Sequence, residues 1–236
     1  CCLSISSCSI SNTVRSPLVI CRHYWAPLYA GAVPSPFVRP PQNTYRAIIN
    51  WLLDQGVDGV LVPMVNSPEE ARQALRAAKY PPLGRRSFGP FRAACYGLAF
   101  AEYAADANRR TALIVLIEDE KAARFIDEIL AIEGGDAVFM RPNDLGYFMP
   151  KPGESLLGDP RYWSAFARTP EVIALCAHGL ERYRAAGVPF GMTSACWEEA
   201  QEWLQRGASF VTLGNDFLFC GEVPRYCANL ERQNEL

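Results

Sequence analysis

What this 236-residue chain lacks narrows its function before any motif is considered. No apolar run approaches the ~20 residues of a membrane-spanning helix; the longest, such as TALIVLIE at 111–118, are strand-sized. Charge of one sign is also missing. The formal net charge is −2 and no basic stripe occurs, so the electrostatic footprint of a nucleic-acid binder is absent. There are only two histidines, His23 and His178, and nothing around them resembles a zinc cluster or a Ser-His-Asp triad. No strand-like run is followed by GxGxxG or GxxxxGK[ST], which removes the phosphate-cradling fingerprints. The nine cysteines include no CxxC pair. Odd in number and irregularly spaced, they argue against a disulfide framework and for small apolar side chains in a reducing compartment.

Acidic residues are absent until Asp54. The segment before it opens CCLSISSCSISNTVRSPLVICRHYW, without Met and rich in Ser and Cys. Such composition fits an organellar transit peptide, or a fragment or misjoined stretch ahead of the domain proper. Residues 1–36 are therefore set aside as an atypical N-terminal segment, and one domain is expected over 37–236. A cytoplasmic location is expected, with organellar import as the alternative that this composition keeps open.

What is present is a repeating pattern. Four times a helical segment closes near Gly and an apolar, strand-sized run follows: WLLDQG then VDGVLVPMV, LAIEGG then DAVFMRP, YRAAG then VPFGMTS, WLQRG then ASFVTLGND. Glycine past the last helical turn can take the left-handed conformation that ends a helix. Short continuous apolar runs between helices fit strands of a parallel sheet buried on both faces. TALIVLIE and PFVRP around Phe37 make six strands. Helix starts are legible as well. In NSPEEARQALRAA, Ser67 suits the N-cap, Pro68 the first helical position and Glu70 the capping-box partner; Thr169-Pro170-Glu171 marks a similar start. Alternating helices and parallel strands, without a nucleotide fingerprint, predict a (β/α)8 TIM barrel whose two remaining strands must come from the atypical N-terminal region.

Ligands of parallel sheets gather at the carboxyl ends of the strands. Arg39 ends FVR, Glu118 ends TALIVLIE, Asp144 follows AVFMRPN and Asp216 follows VTLGN, so all four are expected on one face. Carboxylates converging there repel unless a cation or proton intervenes, and carboxylates with room for water suit Mg²⁺ or Mn²⁺. Each residue also has a plain structural role available: an acid after a strand is commonly a helix cap, and Arg39 before two prolines can simply pair with a carboxylate at the rim. His178, in ALCAHGLERY, reads as structural or solvated. The loop LGYFMPKPGESLLGDPRYWSAFART at 145–169 is either a lid or a surface excursion. The basic loop GRRSFGPFR at 84–92 either meets an anionic substrate or is solvated.

In combination, RPPQN, LLDQGVDGVLVPMVNSPEEARQALRAAKYPPLGRRSFG, VLIE and AVFMRPNDLG resemble the HpcH/HpaI aldolase family, metal-dependent class II pyruvate aldolases related to the citrate lyase β subunit. The resemblance runs from about Phe37 to Leu230. It implies a (β/α)8 barrel assembling as a homo-oligomer, typically a hexamer, and a divalent metal ion, Mg²⁺ or Mn²⁺, with Co²⁺ as a further option. It implies that Glu118 and Asp144 hold the metal and that Arg39 contacts the keto oxygen of pyruvate and its enolate. Asp54 would support a catalytic histidine, for which ICRHYW offers His23. Pro142 and Asn143 would border the substrate carboxylate.

This sequence departs from the family in three places. His23 lacks the flanking acids of the family's D-x-E-H motif and stands close to Arg39. Leu116 occupies a position usually held by Gln. Arg141 stands where a Gly-Pro-Ala-Asp turn would carry Gly, so its guanidinium must point away or bind the anion itself. The resemblance thus implies a carbon–carbon lyase acting on small 2-oxo acid and aldehyde substrates, without nucleic-acid or membrane partners. The alternatives are a non-catalytic barrel that retains metal or 2-oxo acid binding, and a citrate-lyase-like enzyme acting on a CoA thioester.

Overall fold

The computed structural model describes residues 36–43, 46–149, 169–194 and 197–213. Within them are six strands: β1 (Phe37–Val38), β2 (Gly59–Val62), β3 (Ala112–Ile117), β4 (Ala137–Met140), β5 (Phe190–Ser194) and β6 (Phe210–Leu213). Between them run helices α1 (Arg46–Asp54), α2 (Pro68–Ala78), α3 (Phe100–Arg110), α4 (Glu120–Arg124), α5 (Ile126–Leu130), α6 (Pro142–Phe148), α7 (Pro170–Ala186) and α8 (Trp197–Arg206). The helix signals act as the sequence suggests. Ser67 Oγ accepts the Glu70 N–H at 3.2 Å, and Thr169 Oγ1 accepts that of Val172 at 3.4 Å. Gly187 closes α7 at φ 70°, and Gly56, Gly134 and Gly207 adopt the same positive φ after their helices.

The strands lie in the order β1-β2-β3-β4-β5-β6, every pair parallel. Each strand is hydrogen-bonded to its sequence neighbours, and β1 and β6 have one neighbour each. The expected closed (β/α)8 barrel is therefore corrected: the described residues form an open six-stranded half-barrel. Closure needs a strand number and stagger that carry the hydrogen-bond ladder round to its start, and no pairing joins β6 to β1. The repeating helix–strand pattern is the same in an arc as in a ring, so it could not distinguish them.

Strand alternation divides the apolar residues into two layers. Val60, Val62, Leu113, Val115, Ile117 and Met140 face the helices and pack with Leu53, Leu75, Leu180 and Tyr183 in the main core. Leu61, Ile114, Leu116, Ala137 and Phe139 form a second cluster on the concave face, joined by Phe37 and Phe210. Glycine makes room for the two edge aromatics. A Cβ on Gly59 would overlap the Phe37 ring, and one on Gly191 would overlap Phe210 while reaching Phe139 at 2.7 Å. Phe139 and Phe210 then stack at 5.8 Å between centroids.

At the amino ends of the strands a buried ammonium joins the layers. Lys79, which ends α2, donates to the Asn108 carbonyl at 2.9 Å, the Thr111 carbonyl at 2.6 Å and Asp136 Oδ2 at 2.7 Å. Asp136 Oδ2 also accepts the Leu113 N–H at 2.7 Å. Thr111 and Asp136 immediately precede β3 and β4, so one charge ties α2 to the starts of two central strands. Lys79 is buried while Asp136 is partly exposed, so removing the ammonium strands two carbonyls and a half-solvated carboxylate, at a cost of about 3 kcal/mol in all. Lys79→Ala should accordingly lower unfolding stability by about 3 kcal/mol in urea melts followed by circular dichroism. A loss below about 1 kcal/mol would show the node to be dispensable.

Candidate functional site

The same alternation that sets the concave face runs one step past the strand ends. Phe37, Leu116 and Phe139 point inward, so Arg39, Glu118 and Arg141, two residues on, are in the same phase. The β3–β4 register pairs Leu116 with Phe139 and Ile117 with Met140, and the Arg141 N–H still reaches the Ile117 carbonyl at 3.1 Å. Glu118 and Arg141 are thereby cross-strand neighbours at the carboxyl end of the sheet.

Glu118 has no solvent exposure. Its Oε1 accepts from Arg141 Nη1 at 2.8 Å and from Arg39 Nη2 at 3.5 Å. Its Oε2 accepts the backbone N–H of Met64 at 2.7 Å. Beneath it Ile114 and Leu116 are buried in the apolar layer. Leu116, the departure from the family's Gln, is a packing residue of that layer.

Met64 is held in a conformation that non-glycine residues rarely adopt, φ 50°. Its amide serves Glu118, and its carbonyl accepts Asn43 Nδ2 at 2.6 Å. Asn43 Nδ2 also lies 3.4 Å from Glu70 Oε2, which accepts the Asn66 N–H at 2.6 Å. Glu70 therefore braces the turn after β2 with the side chain that was expected to complete the α2 capping box. Backbone strain of about 1–3 kcal/mol persists only where such contacts over-determine it.

Beyond β4 the chain turns into α6 with Arg141 at the N-cap and Pro142 in the first helical position. That start places Asp144 in the first turn, where a carboxylate complements the helix dipole. Arg141 Nε lies 3.1 Å from Asp144 Oδ2. The two are close enough to pair as charges, but Oδ2, buried from solvent, makes no hydrogen bond. Burial pushes the Asp144 carboxyl above its ordinary range; the Arg141 charge opposes this, the negative charge of Glu118 adds to it, and Arg39 pulls it back. The side chains of Arg39 and Arg141 are 44% and 29% exposed, so the guanidiniums cover the carboxylates and themselves face solvent.

The structure thus brings Arg39, Glu118, Arg141 and Asp144 together, with Pro142 buried and Asn143 half-buried alongside. Asp54 is engaged elsewhere. It ends α1, and its carboxylate accepts Arg86 Nη2 at 2.7 Å. Arg86 is buried, lies 4.6 Å above the Tyr80 ring and donates to the Tyr103 hydroxyl at 3.0 Å. The loop at 84–92 therefore turns one of its arginines into the protein. Burial raises the Asp54 carboxyl as well, with Arg86 opposing. His178 is exposed on α7, as a solvated residue should be. His23, Asp216 and most of the 145–169 loop lie outside the described residues.

Sequence reasoning missed Asn43 and Met64. Met64 contributes only backbone groups, which leave no side-chain signal, and its turn forms because Asn43 and Glu118 meet it from distant strands. Two threonines, Thr193 and Thr212, also lie on the concave side. They are register partners at the ends of β5 and β6 and follow Gly191 and Phe210 in the inward phase.

Among the described residues no group of three or more His, Cys, Asp and Glu could hold a metal. Two carboxylates do suit a hard divalent cation that completes its shell with water or substrate oxygens. The donor types therefore fit, and Asp144 Oδ2 makes no hydrogen bond, but Arg141 is charge-paired with both carboxylates.

Comparison with known proteins gives a consistent set of relatives. The model of the family HpcH/HpaI aldolase/citrate lyase matches residues 19–221. A 2-keto-3-deoxy-L-rhamnonate aldolase of Salmonella paratyphi B is 36% identical over 190 residues, 80% of this chain and 66% of the relative. The protein of that name from Escherichia coli O9:H4 matches to the same extent. The chain thus spans just under two thirds of the length of these curated relatives. An HpcH/HpaI aldolase from Desulfitobacterium hafniense superposes with a TM-score of 0.72 at 27% identity, over 92% of this chain and 76% of that one. No helix among the described residues is long and apolar enough to cross a membrane.

The raised Asp144 carboxyl has a measurable consequence. A folded-state pKa above the unfolded value means that the folded protein holds the proton more tightly. Ionisation then costs stability, a penalty absent below the unfolded value and complete above the folded one. Asp144→Asn should exceed the wild type in stability near pH 7, with the difference closing toward about pH 4, as read by thermal melts across pH. Lower stability of the variant throughout would mean that pairing with Arg141 outweighs desolvation.

Proposed function

This chain belongs to the HpcH/HpaI aldolase/citrate lyase family, and we propose that it is a divalent-metal-dependent carbon–carbon lyase acting on a 2-oxo acid through a pyruvate enolate. The observation that carries this reading is the convergence of Glu118, Asp144 and Arg39 at the carboxyl end of the parallel strands, around a carboxylate with no solvent contact. The relatives named as 2-keto-3-deoxy-L-rhamnonate aldolases support it. The barrel-like domain is taken as residues 37–236, and the family match, which begins at residue 19, brings His23 of the preceding segment into the reading.

Glu118 and Asp144 are the residues that would hold the metal, whether Mg²⁺, Mn²⁺ or Co²⁺. When bound, the metal supplies Lewis acidity at the oxygens of the 2-oxo acid. The remaining work falls to this chain's own groups. Arg39, pinned by Glu118 yet partly exposed, presents guanidinium donors where negative charge develops on the keto oxygen as the C–C bond breaks. Fixed donors aimed at developing charge in a dry site are worth about 10²–10³ in rate. The Met64 amide fixes the Glu118 carboxylate from its far side. Pro142 and Asn143 border the substrate carboxylate at the start of α6, beside Arg141. The family resemblance offers His23, outside the described residues, as the proton carrier. Asp54, committed to Arg86, is not part of this reading.

The partners in this reading are a 2-oxo acid, an aldehyde and further copies of the chain, hexameric by family resemblance. The exposed side chains of Phe88, Phe91, Tyr96 and Leu98 support self-association. Clustered exposed apolar groups of this kind mark contact surfaces.

The reading is tested by exchange of pyruvate methyl protons in D2O with Mg²⁺, Mn²⁺ or Co²⁺, followed by NMR. The wild type should catalyse exchange, and Glu118→Gln and Arg39→Ala should each slow it about 10²–10³-fold. Absence of exchange with all three metals would end the lyase assignment. If metal and oxalate nevertheless bound together, the protein would be a binder that has lost the chemistry.

A further inference from the structure

Arg141 departs from the family pattern, and in the structure it takes a specific place. One guanidinium nitrogen lies 2.8 Å from Glu118 Oε1 and another 3.1 Å from Asp144 Oδ2. The guanidinium thus lies against both carboxylates at once, where a divalent ion shared by them, at about 2.0–2.6 Å from each ligand oxygen, would also have to lie. We propose that Arg141 is an internal competitor for the divalent cation: its guanidinium stands in for the ion between Glu118 and Asp144, and metal binds only as that side chain withdraws. This inference rests on the reading of Glu118 and Asp144 as the ligand pair.

Three observations carry it. Glu118 is fully buried, so its charge must be compensated in every state of the protein. Arg39 alone, at 3.5 Å and nearly half exposed, compensates it weakly, which leaves Arg141 as the principal counter-charge. Second, the Glu118 oxygen that faces Arg141, Oε1, already accepts from two guanidiniums, while Oε2 accepts from the Met64 amide, so a cation at Oε1 meets an occupied oxygen. Metal must therefore exchange for a donor rather than add to the set. Third, Asp144 Oδ2 is buried and close to Arg141 Nε yet makes no hydrogen bond, so the guanidinium serves Asp144 less well than an ion would. Withdrawal is sterically open, because Arg141 is 29% exposed on a long flexible stem.

The consequence is a conformational reduction of affinity. If the withdrawn state is populated about one part in ten or less, apparent metal affinity falls by at least that factor. Exchange also predicts reciprocity. Removing the guanidinium leaves the metal-free protein with an uncompensated buried carboxylate, and metal then restores what was lost.

The experiment is a Mn²⁺ titration of chelator-stripped full chain, without substrate, reading free Mn²⁺ by its EPR signal, alongside thermal melts with and without Mn²⁺. Arg141→Gly should bind Mn²⁺ at least about tenfold more tightly than the wild type. Arg141→Lys should fall between, since an ammonium keeps the charge but lacks the planar guanidinium that lies against both carboxylates. Arg141→Gly should melt lower than the wild type without Mn²⁺ and gain more on its addition. Should glycine prevent folding, Arg141→Met, which keeps the stem without charge, supports the same comparison. Equal Mn²⁺ affinity in the wild type and in the glycine or methionine variant, with binding abolished by Glu118→Gln, would overturn the competitor while leaving the ligand pair intact. If neither Glu118→Gln nor Asp144→Asn weakened Mn²⁺ binding in any background, the ligand pair itself would fall, and the competitor with it.

Discussion

The site depends on one buried carboxylate that must be neutralised by its neighbours. Glu118 is reached by two arginines and one backbone amide, and each comes from a different strand end. Its ion pairs are therefore more than rim contacts. They hold the ends of β1, β3 and β4 and the turn after β2 around a single charge. Desolvation makes the requirement strict, because an ionised carboxylate moved out of water costs several kcal/mol unless paired and hydrogen-bonded.

This requirement accounts for features that look unrelated. The left-handed backbone at Met64 turns an amide toward Glu118 Oε2, and Asn43 and Glu70 hold that turn in place. The layer beneath is apolar, with Leu116 in a position that the family usually makes polar. At the opposite end of the same strands, Lys79 solves the mirror problem, a buried cation satisfied by two carbonyls and a carboxylate. The two ends differ in a way that separates scaffold from site. Lys79 has every donor occupied, whereas Asp144 keeps one buried oxygen without a hydrogen bond.

Arg141 turns a family position into an individual property. A glycine at the end of β4 would bring no charge to the two carboxylates. An arginine gives them a counter-charge that is covalently part of the chain. The buried Glu118 then has a counter-charge without any bound ion, and under the competitor proposal a cation shared with Asp144 has to displace that guanidinium.

Much of this was legible in the residue order. The six strands, the helix caps at Ser67 and Thr169, and the glycines after α1, α5, α7 and α8 follow from period, propensity and backbone freedom, which are local properties. The inward phase of Arg39, Glu118 and Arg141 is also local, since each continues a two-residue alternation. Whether the sheet closes is not local: it depends on how many strands pair and with what stagger, and the helix–strand repeat carries neither. Nor could the sequence place Asp54, whose partner is set by the path of the 84–92 loop. It raised the orientation of Arg141 as a choice between pointing away and binding an anion. Only the β3–β4 register, by setting that side chain beside Glu118, decided that the anion is the protein's own.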